Sequence, residues 1–478
     1  MTLSSDFRTR AGLIIAAVLI GSSALAQATS DNDAVVEQDG ADNAARVEQA
    51  GSFNRAGSDA EPLFQVGIFN DLDILQEGRN NSIGLVGPGL TQTGKQNTED
   101  VFNKIIIQQT SNDNLVGSVT QTSEGSVANG ANTLTIRQGG GGNNTVEVVR
   151  QTQEDGKAAQ IATVDQTGQF NRVALIEQVA NSNLHNDKNE IMLRITGRSN
   201  GRTGLSGYAA QPGVTDSGIV QQGGPLDGRS NGNKVDMLIT GDQNRFGIRQ
   251  SGSRNDVGAV TINGDGNQLG LHQDGSDNDI TITPVEGNDN IIGIDQLGTN
   301  IARVSLEAIS AGNSVPRSDS NRILILQDGT NFFSLDLEGD DNEFTSNQDY
   351  LGADGRENRA QVRLIGSGNI GHLTQFGDNV FDLDIEGDDN NALPFDAVFD
   401  AAGQSAGVFV QQGTDNSALI TVEGDANRFG FRQEGDLNSM IATIMGGQNQ
   451  MALSQAGSSN VAVVEQSGQS NRMTVEQN

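Results

Sequence analysis

An interval of 11 residues, kept without interruption from Gln411 to Gln477, constrains this chain more than any other feature. The anchors are Gln411, Val422, Gln433, Ile444, Gln455, Gln466 and Gln477. The first six each open the same phrase, anchor-x-Gly-x-x-Asn, as in Gln433 to Asn438, Gln455-x-Gly457-x-x-Asn460 and Gln466-x-Gly468-x-x-Asn471. Between each Asn and the next anchor, polar and apolar residues alternate, as in Asn460-x-Ala462-x-Val464-x-Gln466. A period of two belongs to an extended strand with one face turned inward. One such strand cannot bury its inner face alone, so strands at a fixed interval predict a chain that coils and stacks on itself. The expected fold is therefore all-β: a β-solenoid of stacked strand-turn-strand repeats in half-repeats of 11 or 12 residues.

The same phrase opens soon after the N-terminus. Gln38-x-Gly40-x-x-Asn43 runs into Gln49-x-Gly51-x-x-Asn54, and further copies start at Gln65, Gln76 and Gln92. Two of these intervals are longer, and each extra stretch carries a proline, Pro62 or Pro88, which predicts loops leaving the stack at a corner. A second clean block spans about 239–300. Its anchors alternate between aliphatic residues and Gln: Ile239, Gln250, Ile262, Gln273, Val285 and Gln296. The additional residue following Asn255 and Asn278 reads as a β-bulge. With 35–97 and 411–478 these are the regular blocks, and 204–234, 309–318, 347–358 and 392–407 read as insertions. Since the phrase resumes in the same form after each, residues 27–478 are expected to be one repeat region of some 17 to 19 layers, each about 4.8 Å thick.

Within a repeat, Gly supplies positive φ and Asn tolerates the left-handed region of the turn. Inward Gln and Asn can stack on their equivalents in adjacent layers, each amide donating and accepting along the axis. On this reading the ladder and turn positions are Gln38, Gly40, Asn43, Gln49, Gln250, Asn255, Gln273, Asn278, Gln433, Asn438, Gln455, Gly457, Asn460, Gln466, Gly468, Asn471 and Gln477.

The first 26 residues read separately, as a secretory signal peptide. Arg8 and Arg10 precede the apolar run from Ala11, and Ala24-Leu25-Ala26 offers small residues for cleavage. No later segment predicts a transmembrane helix in the mature chain. There is no Cys, so stability would come from the ladder and not from disulfides. The formal net charge of −32 argues against nucleic acid and anionic membranes as partners.

These residues resemble the curlin repeat of curli fibre subunits, whose pattern is roughly Ser-x5-Gln-x-Gly-x2-Asn-x-Ala-x3-Gln. Gln38, Gly40, Asn43, Ala45 and Gln49 match its second half, as do Gln455, Gly457, Asn460, Ala462 and Gln466. Partial matches cover most of residues 35–478. The resemblance implies a secreted subunit of an extracellular amyloid fibre on a Gram-negative-type cell surface, supporting adhesion and biofilm matrix. It also implies an outer-membrane exporter, a nucleator subunit and the chain itself as partners. The alternative is a monomeric β-solenoid adhesin or surface-layer component, with calcium as a possible ligand.

No catalytic constellation is apparent. His185, His272 and His372 share no repeat position, and there is no Cys nucleophile or spaced metal-ligand set. The chain reads as a non-enzyme without cofactors. Acidic turns such as Gly339-Asp340-Asp341-Asn342 and Gly387-Asp388-Asp389-Asn390 could form columns of oxygen ligands for calcium. The stronger reading is that like charges at repeated turns delay premature stacking. Glu465, Glu476 and Arg472 read as an exposed, solvated column.

Overall fold

The computed structural model describes residues 31–41, 43–68, 70–85, 89–95, 103–124, 133–154, 160–180, 189–222, 232–282, 285–304, 319–350, 357–399 and 401–478. The leader and the 309–318 insertion lie outside the described residues, as do residues 351–356 of the 347–358 insertion. The fold is all-β, and its strands pair in parallel in the manner of a β-solenoid. The only helical element among the described residues is one turn of 3-10 helix at Gly207–Ala210. Two compact units are distinguishable. One comprises residues 1–204 and 216–256; the other comprises 205–215 and 257–478.

In the first unit the chain alternates between two sheets. Val36–Ala41 pairs with Leu63–Ile68, which pairs with Leu90–Lys95. The same sheet continues through Leu115–Glu124, Thr145–Glu154, Arg172–Ala180, Ile219–Gln222 and Arg245–Ser253. The facing sheet holds Ala44–Ser52, Asn70–Arg79 and Asn103–Gln109. Burial alternates along each strand, and Leu72, Ile74, Ile105 and Ile107 lie wholly inside.

The second unit repeats the plan. Its main sheet runs from Gln268–Ser276 and Ile291–Val304 to Arg428–Glu434, Gln450–Ala456 and Arg472–Gln477. Ser439–Ile444 and Val461–Gln466 pair on the facing sheet. The strand Ile291–Val304 turns the corner without leaving its ladder and pairs with Arg322–Ser334 along both arms. Large rings fill part of the narrow interior, with Phe409 5.3 Å from Phe429 and 5.5 Å from both Phe381 and Phe431. Burying one such ring is worth about 1.5–3 kcal/mol.

Several expected loop boundaries need correction. The extra stretch around Pro62 leaves the middle of a strand, not a corner; Pro88 lies outside the described residues, and the strands flanking it, Ser82–Ile83 and Leu90–Lys95, both pair with Leu115–Glu124. Arg55–Ala56 and Leu63–Ile68 are two pieces of one strand course, and Val35 bonds across the gap, its N–H donating to Ala56 O and its carbonyl accepting from Leu63 N–H. The proposed insertion at 204–234 contains the strand Ile219–Gln222, and Asn347–Tyr350 belongs to the strand Glu343–Tyr350. After Asn255, inward alternation skips a step between the buried Val257 and Val260. That locates the extra residue of this half-repeat.

Candidate assembly surface

The anchor glutamines of the main sheet stand in register. In the first unit they are Gln38, Gln65, Gln92, Gln121, Gln151, Gln178, Gln222 and Gln250. In the second they are Gln273, Gln296, Gln327, Gln348, Gln375, Gln411, Gln433, Gln455 and Gln477. From Gln273 to Gln477 each Nε2 donates to the next Oε1 at 2.8–3.0 Å. The second amide hydrogen goes to a backbone carbonyl across the layer, as from Gln433 to Ser417 O at 2.9 Å. Two donors and an acceptor are thereby satisfied without water, as a buried amide requires. Gln250 donates to Lys234 O and Asn255 O at 3.0 and 2.8 Å.

Asparagines form a second kind of column. Asn460 N–H donates to Asn438 Oδ1, whose residue donates in turn to Asn416 Oδ1, both at 3.1 Å. Asn471 N–H does the same to Asn449 Oδ1 at 3.0 Å. Asn43 accepts from Asn70, Asn278 from Asn300, and Asn255 donates to Asn233. Side-chain nitrogens reach up to turn carbonyls of the next layer, as Asn438 Nδ2 does to Gly457 O at 3.0 Å.

The turn glycines are fixed by stacking as well as by φ. Gly40 has φ +124°, and a Cβ there would lie 1.9 Å from the carbonyl oxygen of Gly67 in the next layer. Gly435 and Gly446 stand in the same relation to Gly457 and Gly468, at 2.0 and 2.1 Å. Gly457 and Gly468 differ. No glycine carbonyl stands against them: an added Cβ on Gly457 would have Asn460 Nδ2 at 3.7 Å and Asn478 C at 4.0 Å, and one on Gly468 would have Asn471 Nδ2 at 3.3 Å.

The facing sheet carries a different column. In the first unit it begins with Gln: Gln49 donates to Gln76 and Gln76 to Gln109, both at 2.8 Å. In the second unit it is aliphatic through Ile262, Val285, Leu337, Ile385, Val422 and Ile444, all buried. It reverts to Gln at Gln466, which pairs in register with Ile444. Gln466 Oε1 is buried and accepts no hydrogen bond, because its neighbour offers no amide.

Acidic turn residues accept from the preceding layer. Asp319 Oδ1 takes Asn288 N–H at 2.6 Å, Asp340 takes Asp319 N–H at 2.8 Å, and Asp388 takes Ser367 N–H at 2.8 Å. Asp425 takes Asp388 N–H at 3.0 Å. Asp436 accepts from both the N–H and the hydroxyl of Thr414, which holds its carboxyl below the usual carboxylate range. Among the described residues no group of three or more His, Asp or Glu side chains is arranged to hold a metal ion. The hydrogen bonds to Asp319, Asp340, Asp388, Asp425 and Asp436 make these carboxylates acceptors of the turn ladder, a role the sequence reading did not assign.

The exposed column expected at Glu465, Glu476 and Arg472 also needs correction. Glu465 pairs with Thr443 on the facing sheet, whereas Arg472 and Glu476 lie on the main sheet. Arg472 is engaged: its Nη2 donates to Asp396 Oδ2 at 2.7 Å.

Glutamine and asparagine columns, stacked turn glycines and a 22-residue rise between Gln433, Gln455 and Gln477 are thus present together at the C-terminal end. Residues 446–478 match the model of the curlin associated repeat. The chain carries a curlin repeat. The match holds the end-layer anchors Gln455, Gln466 and Gln477 with Gly457, Gly468, Asn460 and Asn471. The curlin-repeat family is structural. No curated protein matches the chain. No helix among the described residues is long and apolar enough to cross a membrane.

Proposed function

We propose that this chain is a secreted structural subunit that assembles end to end into curli-like amyloid fibres at the cell surface, supporting adhesion and biofilm matrix. The observation that carries the reading is the composition of the end layers. Gln38 and Gln49 are the first anchors of the two columns in the first unit, and Gln466 and Gln477 are the last in the second, although the other described facing-sheet anchors of the second unit are aliphatic. A layer built to meet only its own chain would have no need of an amide at 466 above Ile444. A layer that receives Gln38 and Gln49 of another copy would.

Templated addition follows from that match. The strands Val461–Gln466 and Arg472–Gln477 pair with Ser439–Ile444 and Gln450–Ala456 and form the face on which a further layer would add. An incoming layer gains backbone bonds and amide rungs together. An outer-membrane exporter and a nucleating partner belong to this proposal, as does removal of the leader.

The test uses the full mature chain, refolded from denaturant and followed by thioflavin T and electron microscopy. Wild type should form fibres with a lag that seeds abolish. The double variant Gly457→Ala, Gly468→Ala places two Cβ atoms where the next layer's glycine carbonyls would sit, so it should fold and fail to elongate. A thioflavin-negative wild-type monomer rich in β structure would overturn the proposal and leave a monomeric solenoid adhesin in its place.

A further inference from the structure

The insertion at 392–407 does not hang free. It leaves the stack at Asn391, whose N–H donates to Asn427 O at 2.7 Å, and returns at Gly407, whose N–H donates to Phe429 O at 2.8 Å. Between these points it lies across the outer face of the main sheet. A Cβ on Gly430 would meet Ser405 O at 2.2 Å, so this outward strand position is kept as glycine to let the loop backbone approach.

At the centre of the loop is Asp396. Its Oδ1 accepts from Arg428 Nη1 at 2.5 Å. Its Oδ2 accepts from Gln450 Nε2 at 2.5 Å and from Arg472 Nη2 at 2.7 Å. Its own N–H donates to Gln450 Oε1 at 2.9 Å, so both ends of that amide are engaged. Arg428, Gln450 and Arg472 are register partners, each the first residue of its strand in three successive layers. One carboxylate therefore reaches three layers in a row. Gln450, at an outward position, is only 4% exposed because the loop covers it.

The third of those layers is the one that most needs support. In Arg472–Gln477 exposed and half-buried residues alternate and none is buried, because that strand has a neighbour on one side only. A terminal strand of this kind frays first. Asp396 is 76 residues away in sequence and ties it to a loop rooted three layers back.

We propose that the 392–407 loop is a clasp, and that Asp396 is a positioning residue holding the edge strand Arg472–Gln477 in the register a second copy of this chain docks on. The inference rests on the end-to-end assembly reading for its docking half, whereas the clasp itself is a property of the single chain. The ion pairs are partly exposed, so salt weakens them. High ionic strength therefore has two opposed effects on docking, loss of order at the edge, which slows it, and screening of repulsion between copies of net charge −32, which speeds it.

The deciding experiment is amide hydrogen exchange on the full mature chain held monomeric at low concentration. It compares wild type with Asp396→Asn and with Arg472→Gln, the second variant leaving Asp396 its bonds to Arg428 and Gln450. Both variants should exchange the Arg472–Gln477 amides at least about threefold faster than wild type. The amides of Arg322–Ser334, far down the stack, should be unchanged. Both should also elongate wild-type seeds more slowly than wild type does at the same ionic strength. Unchanged exchange at Arg472–Gln477 in both variants would overturn the clasp. Faster exchange with wild-type elongation would overturn its role in docking. If wild type itself forms no fibres, the assembly reading fails while the exchange data still decide the clasp.

Discussion

Replacing Gly435 by alanine tests whether layer stacking, more than turn geometry, selects glycine. The residue has φ +100°, and its Cβ would come 2.0 Å from Gly457 O. A carbon and a carbonyl oxygen need about 3.2 Å, so the two layers must part locally by about 1 Å. Three bonds cross that gap nearby: Gln433 to Gln455 at 2.8 Å, Asn438 Nδ2 to Gly457 O at 3.0 Å, and Asn460 N–H to Asn438 Oδ1 at 3.1 Å. Their loss costs about 1 kcal/mol each, and more where a donor stays buried and unpaired. Left-handed strain adds about 1–3 kcal/mol. Gly435→Ala should therefore lose about 4–6 kcal/mol. Gly468→Ala, with nearly the same φ of +101° and no layer above, should lose only the strain. Urea unfolding followed by circular dichroism on the monomer, with exchange of the Gln455–Gln477 amides as a local readout, separates the two. Equal losses in both variants would refute the stacking argument and leave turn conformation as the whole reason for glycine.

Tyr208 donates its hydroxyl to Glu343 at 2.5 Å, and burial followed by that hydrogen bond raises its pKa to about 12. The chain has two tyrosines and no tryptophan, so tyrosinate absorbance in a Tyr350→Phe background reads this one group. Its folded pKa lies above the unfolded value near 10, so the stability it contributes is complete below pH 10 and lost as pH rises toward 12. Titration of Tyr208 at 10 in the folded chain would contradict the contact. For Asp396, Arg428 and then Gln450 and Arg472 lower the pKa to about 2. The clasp should therefore persist above pH 4 and open only as pH falls through about 2, as judged by exchange at Arg472–Gln477. Gln433→Glu should cost about 3–5 kcal/mol at neutral pH, because a buried carboxylate with no counter-charge replaces a rung that donates twice and keeps only the bond it accepts from Gln411. That deficit should shrink as acid protonates the buried group, which a urea titration at pH 4 and pH 7 would reveal. Asp388→Ala, which removes the acceptor for Ser367 N–H, should cost about 0.5–1 kcal/mol in the same assay, and Asp388→Asn much less.

The solenoid was legible because inward and outward residues alternate with a fixed period, and because Gly and Asn recur where each turn needs them. The amide rungs were legible only where the interval held. Gln121, Gln151, Gln178 and Gln222 stand in one column with Gln38 in the first unit, and Gln327, Gln348 and Gln375 in one with Gln477 in the second. Variable intervals between them hide the register from any fixed-period reading, although each strand still finds its place. Insertions change the distance along the chain, and stacking responds only to which residue faces which. The excursion that carries Pro62 illustrates the same point, since a strand tolerates an interruption in its middle when a neighbour such as Val35 bonds to both sides of the gap.

Where a loop lies after it leaves the stack has no periodic signature, yet the strands beneath record it. Gly270 and Gly293 sit at outward positions where an added Cβ would meet Ala209 O at 1.7 Å and Tyr208 O at 2.0 Å. Gly430 does the same beneath Ser405. Glycine weakens a strand and offers no side chain to pack, so a glycine at an outward strand position away from any turn points to a backbone pressed against it. The segment 205–215 then grips register partners much as the other loop does. Ser206 N–H donates to Gln268 Oε1 at 2.9 Å, Tyr208 reaches Glu343, and Leu205, Ala209 and Val214 form a small core that Ile291 packs against. Both insertions thus spend their length along the stacking axis. A ladder held only by neighbour-to-neighbour contacts can open one layer at a time from its end. A side-chain contact that skips layers couples their opening, and Asp396 places that coupling on the strand with the fewest neighbours of its own.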